Sequence, residues 1–185
     1  MSMYRLSIFS FLVIAIVFSS CDTKNPYDTG PKYDGAENLT KDSLLIVDYL
    51  ETAEIDSLYR IHDPSGVVVI VQEEGEGSRP INGNAVYTLY TGSLMSDGAV
   101  FDTNIKQVAV ENDIDEEGKE YKLLSFSIGS GGVIQGWDIA FRRLRPGSKA
   151  QLIIPSPYGY QNDPNRARIP ANSVLIFDVD FKGIE

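Results

Sequence analysis

His62 is the only histidine and Cys21 the only cysteine among 185 residues, and those two counts remove most of the chemistry that side chains perform. A Cys/His zinc site takes about four ligands. A histidine-based triad needs its base beside a nucleophile, whereas His62 falls at an expected helix-to-turn junction, where a surface or capping role suffices. A single cysteine leaves no disulfide within the chain. Gly129-Ser130-Gly131-Gly132 imitates a phosphate loop, but the third glycine of that motif would fall at Ile134. Asp113 to Gly118 opens like a calcium loop, yet its twelfth position is Leu124 and not a glutamate, so it reads as a solvated acidic loop. Nothing singles out two carboxylates for glycoside hydrolysis. No metal and no cofactor is expected. With 26 acidic against 16 basic residues and a net charge of −10, nucleic acid is not an expected partner either. What remains is a set of large side chains at turns and strand ends: Tyr90, Phe101, Phe126, Val133, Ile134, Trp137, Tyr160, Ile169 and Phe177. Taken alone, it is a hydrophobic core.

Their spacing is more particular. Tyr90-Thr91-Gly92, Asp97-Gly98 with Phe101-Asp102, and Gly129-x-x-x-Val133-Ile134-x-Gly136-Trp137 come in order along the chain. Arg145-Pro146-Gly147-x-Lys149-Ala150, Tyr158-Gly159-Tyr160 with Ile169-Pro170, and Leu175 to Asp178 follow. Together these motifs resemble the FKBP-type peptidyl-prolyl cis-trans isomerases over Val86 to Glu185. The resemblance implies a proline pocket with Trp137 as floor and Tyr160 and the Ile134 N–H bonding ligand carbonyls. It assigns Asp102, Tyr160, Trp137 and Phe177 to catalysis, and Tyr90, Phe101, Leu124, Val133, Ile134 and Ile169 to substrate binding. Proline-containing clients and a macrolide are the implied ligands. Leu124 stands where the family usually has an aromatic, and Gln161 replaces the glycine that usually follows the second tyrosine. The connection from Asp102 to Leu124 is longer than usual, and the sequence does not place the basic partner of Asp102.

The reaction suits a chain so poor in acid–base groups. Rotation about an X–Pro bond crosses a barrier of ~18–20 kcal/mol because amide resonance must be broken. The twisted amide is less dipolar than the planar one, so a dry aromatic pocket favours it over the ground state. A fixed donor or acceptor such as Tyr160 or Asp102 can add to that preference.

These residues need a scaffold. In Ala85 to Thr91, Val86, Thr88 and Tyr90 share one face, and Leu175, Phe177, Val179 and Phe181 share one face near the end; Ser125 to Ile128 alternates likewise. Period-two alternation predicts an antiparallel sheet with one wet face. Trp137, Phe141 and Leu144 predict one helix that runs to Pro146-Gly147, with Arg142, Arg143 and Arg145 in its last turn. The fold class is α+β, an antiparallel sheet wrapped around one short helix. Ahead of it, Val67 to Val71 reads as a buried strand after an Asp63–Gly66 turn. Thr40 is the expected cap of a helix over Lys41 to about Tyr59, with Ile46, Tyr49, Leu50 and Ala53 on its apolar face. Ile105, Val108, Ala109 and Asn112 fit a short helix in the long connection.

Residues 1–20 differ from all of this. Arg5, an apolar run from Leu6 to Phe18, Ser19-Ser20 and Cys21 have the layout of a secretory signal, and resemble a bacterial lipoprotein signal peptide cleaved before a lipidated Cys21. The expected division is a signal peptide over 1–20, a tether over 21–40, a helix-and-strand extension over 41–75 and the isomerase domain over 76–185. The function expected is isomerisation of proline bonds in exported or envelope proteins, from a lipid anchor on a bacterial membrane that faces the periplasm or cell exterior. A second reading keeps the domain as a chaperone or binding module of weak or no turnover within an envelope assembly.

Overall fold

The computed structural model describes residues 33–185, which form one compact unit. Residues 1–32, and with them the expected signal peptide, Cys21 and most of the expected tether, lie outside the described residues.

The first helix, α1 (Gly35–Thr52), begins earlier than the sequence suggested. Its cap is Asp34, whose carboxylate accepts the Ala36 and Glu37 N–H groups at 3.0 Å each. Aspartate is among the strongest N-caps because it satisfies N–H groups that have no helical partner. Thr40 is therefore interior, with its hydroxyl turned back to the Ala36 carbonyl. The helix also ends earlier, at Thr52: Ala53, expected on its apolar face, is extended, and Tyr59 belongs to a strand, β1 (Tyr59–His62). His62 closes that strand, exposed, rather than ending a helix. Asp63 then makes the turn, accepting Ser65 N–H with its side chain and Gly66 N–H with its carbonyl. The next strand, β2 (Val68–Glu73), follows at once.

The remaining elements are β3 (Ala85–Leu94), β4 (Val100–Thr103), α2 (Lys106–Glu111), β5 (Leu124–Ser127), α3 (Gln135–Phe141), β6 (Lys149–Ile154), a 3-10 turn over Ser156–Tyr158 and β7 (Leu175–Ile184). The strands form one antiparallel sheet in the order β1-β2-β6-β7-β3-β4, with β5 also paired to β3. β2 is thus an interior strand, and its Val69 and Val71 belong to the main core together with Val67.

α3 lies across one face, where Trp137, Ala140, Phe141 and Leu144 meet Val86, Leu152, Leu175, Phe177 and Phe181. It stops at Phe141, short of the expected Pro146. Arg143 N–H and Leu144 N–H bond three residues back, so the chain tightens into turns that still bury Leu144. Arg143 is drawn off to Asp63, 2.5 Å away. The opposite face is wet only in part: Lys149 of β6 and Asp178 of β7 stay exposed there, and α1 covers the remainder. Ile46 of α1, with Tyr49 and Leu50 beside it, covers Val68, Ile70, Ile153 and Ile176.

Candidate active site

β3 and β4 bring the first wall. Tyr90 is held on three sides: its N–H donates to Asn104 Oδ1 at 2.7 Å, its carbonyl accepts the Thr103 hydroxyl at 2.7 Å, and its own hydroxyl donates to Asp102 Oδ2 at 2.6 Å. Buried Asn104 also donates to the carbonyls of Thr88 and Lys122, both at 3.0 Å, which closes the long connection into a loop at its base. Gly92, opposite Asp102 in the β3–β4 register, must be a glycine. A Cβ there would sit 2.7 Å from ring atoms of both Phe101 and Phe177.

Trp137, 3 % exposed, is the floor. Tyr90 and Phe177 each meet it edge-on with centroids 5.2 Å away, and Phe126 and Phe141 support it from below at 5.5 and 5.3 Å. Edge-to-face packing of this kind adds about 0.5–1.5 kcal/mol per pair beyond burial. The indole N–H is buried without an acceptor among the described residues. Gly136, one residue earlier, lets α3 lie against Ile154, where a Cβ would come within 2.4 Å.

Above the indole opens a cavity of about 170 Å³, lined by Tyr90, Asp102, Leu124, Val133, Ile134, Trp137, Tyr160 and Phe177, with Gly132 at its rim. Phe101 and Ile169 line an adjoining cleft of about 330 Å³ that shares Asp102 and Tyr160 and adds Arg166 and Arg168. Every site residue expected from the sequence therefore falls in one of two contiguous hollows. Ile134 is extended at the start of α3, and neither its N–H nor the Tyr160 hydroxyl has a partner among the described residues. Both are free to meet a carbonyl.

Tyr160 rides on the loop after the 3-10 turn. Gln161, which takes the usual glycine's place, adopts the left-handed conformation with φ of 55°. A non-glycine residue in that conformation carries about 1–2 kcal/mol of strain. Burial pushes the Tyr160 hydroxyl pKa up, opposed by the Arg166 guanidinium, which stacks 4.5 Å from the ring centroid. Burial also pushes Tyr90 up strongly, reinforced by its bond to Asp102. Both phenols remain proton donors at neutral pH.

Three site residues escaped the sequence. Lys119 is the basic partner of Asp102, at 3.2 Å, delivered by the long connection folding back on itself. Arg166 shields Tyr160, and Asn104 anchors Tyr90. Arg166 and Arg168 in the segment between Tyr160 and Ile169 were a visible signal. Lys119 had none, since an irregular loop fixes its reach. The acidic segment is tied by its own neighbours: Asp115 accepts from Lys106 at 2.6 Å and from the Tyr121 hydroxyl at 2.9 Å. Among the described residues no cluster of three metal-ligating side chains occurs.

An apolar, ring-lined hollow with two free donors at its mouth and one carboxylate, Asp102, in its wall can bind a compact ring and favour a less polar state of an attached amide. Comparison with known proteins agrees with that class. A model of the FKBP-type peptidyl-prolyl cis-trans isomerases matches residues 76–182, and the chain belongs to that family. Its relatives include the peptidyl-prolyl cis-trans isomerase Fkbp12 of Drosophila melanogaster, 37 % identical over 121 residues that cover 65 % of this chain and 99 % of that protein. FK506-binding protein 4 of Rhizopus delemar is 34 % identical, but the matched part is 63 % of this chain and only 26 % of the relative. The chain thus spans about a quarter of the length of that longer relative. FkpA from Escherichia coli superposes with a TM-score of 0.60 at 26 % identity, over 82 % of this chain and 61 % of that one. A peptidyl-prolyl cis-trans isomerase of Pseudomonas syringae shares the fold with a TM-score of 0.59 at 20 % identity, over 84 % and 99 %.

Proposed function

We propose that this protein isomerises X–Pro bonds in exported or envelope polypeptides while held at a bacterial membrane by a lipid on Cys21, facing the periplasm or cell exterior. One observation carries the enzymatic reading: the hollow of about 170 Å³ over Trp137, walled by Tyr90 and Phe177, with the Tyr160 hydroxyl and Ile134 N–H free at its mouth. A proline ring fills such a space and its flanking carbonyl meets the donors. Tyr160 and the Asp102 group, steadied by Tyr90 and Lys119, supply fixed polarity beside the twisting amide. The names of relatives called FK506-binding proteins support a macrolide as a competing ligand. The lipid anchor is supported by the order of charged start, apolar run, small residues and Cys21.

Acceleration of cis-to-trans conversion in a short X–Pro peptide tests the enzyme. The wild type should accelerate it, and Tyr160→Phe should lose kcat/KM severalfold at unchanged Tm, since a neutral hydrogen bond is worth about 0.5–1.5 kcal/mol. Mass spectrometry tests the anchor: acyl groups should sit on Cys21, and Cys21→Ser should abolish them. An uncleaved Met1 with a free thiol would end that part of the reading.

One feature favours the second reading, a binding or chaperone module. Leu44, Leu45, Val47 and Leu58 leave apolar surface exposed on and beside α1. A wild type that suppresses client aggregation yet accelerates no X–Pro peptide would establish it.

A further inference from the structure

A buried carboxylate from outside the matched family region reaches the loop that carries Tyr160. Asp42, in the middle of α1 and 3 % exposed, accepts the backbone N–H of Ser156 at 2.7 Å. Ser156 is itself fully buried, and its hydroxyl bonds the Tyr33 hydroxyl at 3.1 Å. Its carbonyl then accepts two N–H groups at 3.1 Å, those of Gly159 and Gln161, the residues on either side of Tyr160. One residue is thus pinned by the N-terminal segment at one end and holds both flanks of Tyr160 at the other.

Docking of α1 does not need this group. Ile46, Tyr49 and Leu50 already supply the apolar contact, and burying a carboxylate in a helix face is unfavourable unless it meets a donor. The loop, in contrast, does need holding. Gln161 sits at a φ of 55°, a conformation that persists only where the surroundings enforce it. The Tyr160 hydroxyl has no partner among the described residues, so the loop backbone decides where that donor stands. An error of about 1 Å in such a group can cost a large part of its effect.

We propose that Asp42 is a positioning residue for the isomerase site: through Ser156 it fixes the Tyr160 loop, making α1 a working part of the site. The proposal rests on the proposed isomerase function, with Tyr160 as its donor.

A double-mutant cycle on the full-length protein tests it. Asp42→Ala should lower kcat/KM on an X–Pro peptide by about five- to tenfold, measured well below its Tm. In the Tyr160→Phe background the same change should cost less than about twofold. Asp42→Asn, which keeps an acceptor oxygen, should restore most of the loss. Equal losses in both backgrounds, a kcat/KM untouched while Tm falls, or Asn as poor as Ala would each overturn it. Should Asp42→Ala fail to fold, Asp42→Ser, too short to reach the Ser156 N–H, takes its place in the same cycle. If the wild type itself shows no acceleration, the function reading fails. The positioning is then read from Trp137 emission: Asp42→Ala should weaken titration by a Pro-containing peptide, and identical curves would refute it.

Discussion

The two faces of the sheet are built from different materials. The face under α3 carries the buried rings: Tyr90, Phe101, Phe126, Trp137, Phe141, Phe177 and Phe181 interlock there, mostly at near-perpendicular ring angles, among aliphatic side chains such as Val86, Leu152 and Leu175. The face under α1 is aliphatic: Ile46, Val68, Ile70, Ile153, Val174 and Ile176. The same strands feed both, because successive side chains alternate sides; β7 sends Phe177 to one and Ile176 to the other. Rigid rings with few rotamers hold an open hollow at low entropic cost, whereas aliphatic chains close up against each other. The ring face keeps a vacant site over Trp137, and the aliphatic face is taken up in packing α1. The polar reach of Asp42 across to Ser156 is the exception that connects the two.

The strongest way to break this contrast is to remove a ring. Phe177→Ala takes away a wall that touches Trp137, Tyr90 and Phe101, and should cost about 3–5 kcal/mol in stability and most of the ligand-induced change in Trp137 emission. Denaturant unfolding and a fluorescence titration check both, and a stable variant that still binds would show that the hollow does not depend on the ring lattice. A milder trim on the other face should separate stability from activity. Ile70→Val should cost about 0.5–1.5 kcal/mol with kcat/KM unchanged; a drop in kcat/KM would mean the aliphatic face tunes the pocket directly.

The smallest effect concerns pH. Burial raises the pKa of Tyr90 and Tyr160 above the ordinary tyrosine value, Tyr90 further through Asp102. The native state therefore holds these protons more tightly than the unfolded chain. The resulting stabilisation is complete below about pH 10 and is lost as pH rises through the folded-state values. From about pH 7 to 10, kcat/KM should stay flat, and Tm should decline from this cause only above that range. A loss of activity centred near pH 10 would show that these phenols titrate as exposed groups.

Much of the site could be read from residues in order. Tyr90, Asp102, Trp137, Tyr160 and Phe177 sit in short motifs whose local geometry is strict, such as Gly92 against two rings and Gly136 against Ile154. Strand faces followed from alternation, and β3, β5 and β7 lie where period two put them. Helix ends were harder. Thr40 and Asp34 are both good caps, and the structure uses Asp34, whose carboxylate takes the Ala36 and Glu37 N–H groups. The stop of α3 at Phe141, where the chain tightens into three-residue turns through Leu144, likewise left no mark in the apolar spacing.

The sequence by itself determined the strand faces and the ring set, because each depends on residue type or on neighbours a few positions away. The tertiary structure alone decided which distant groups meet. Lys119 reaches Asp102 across 17 positions and Asp42 reaches Ser156 across 114. It also decided that β2 is interior and that α1 covers part of the face expected to be wet. Such pairings follow from how the whole chain closes on itself. A hydrogen bond between residues so far apart leaves no periodic trace along the chain, only a polar side chain whose partner appears when the fold does.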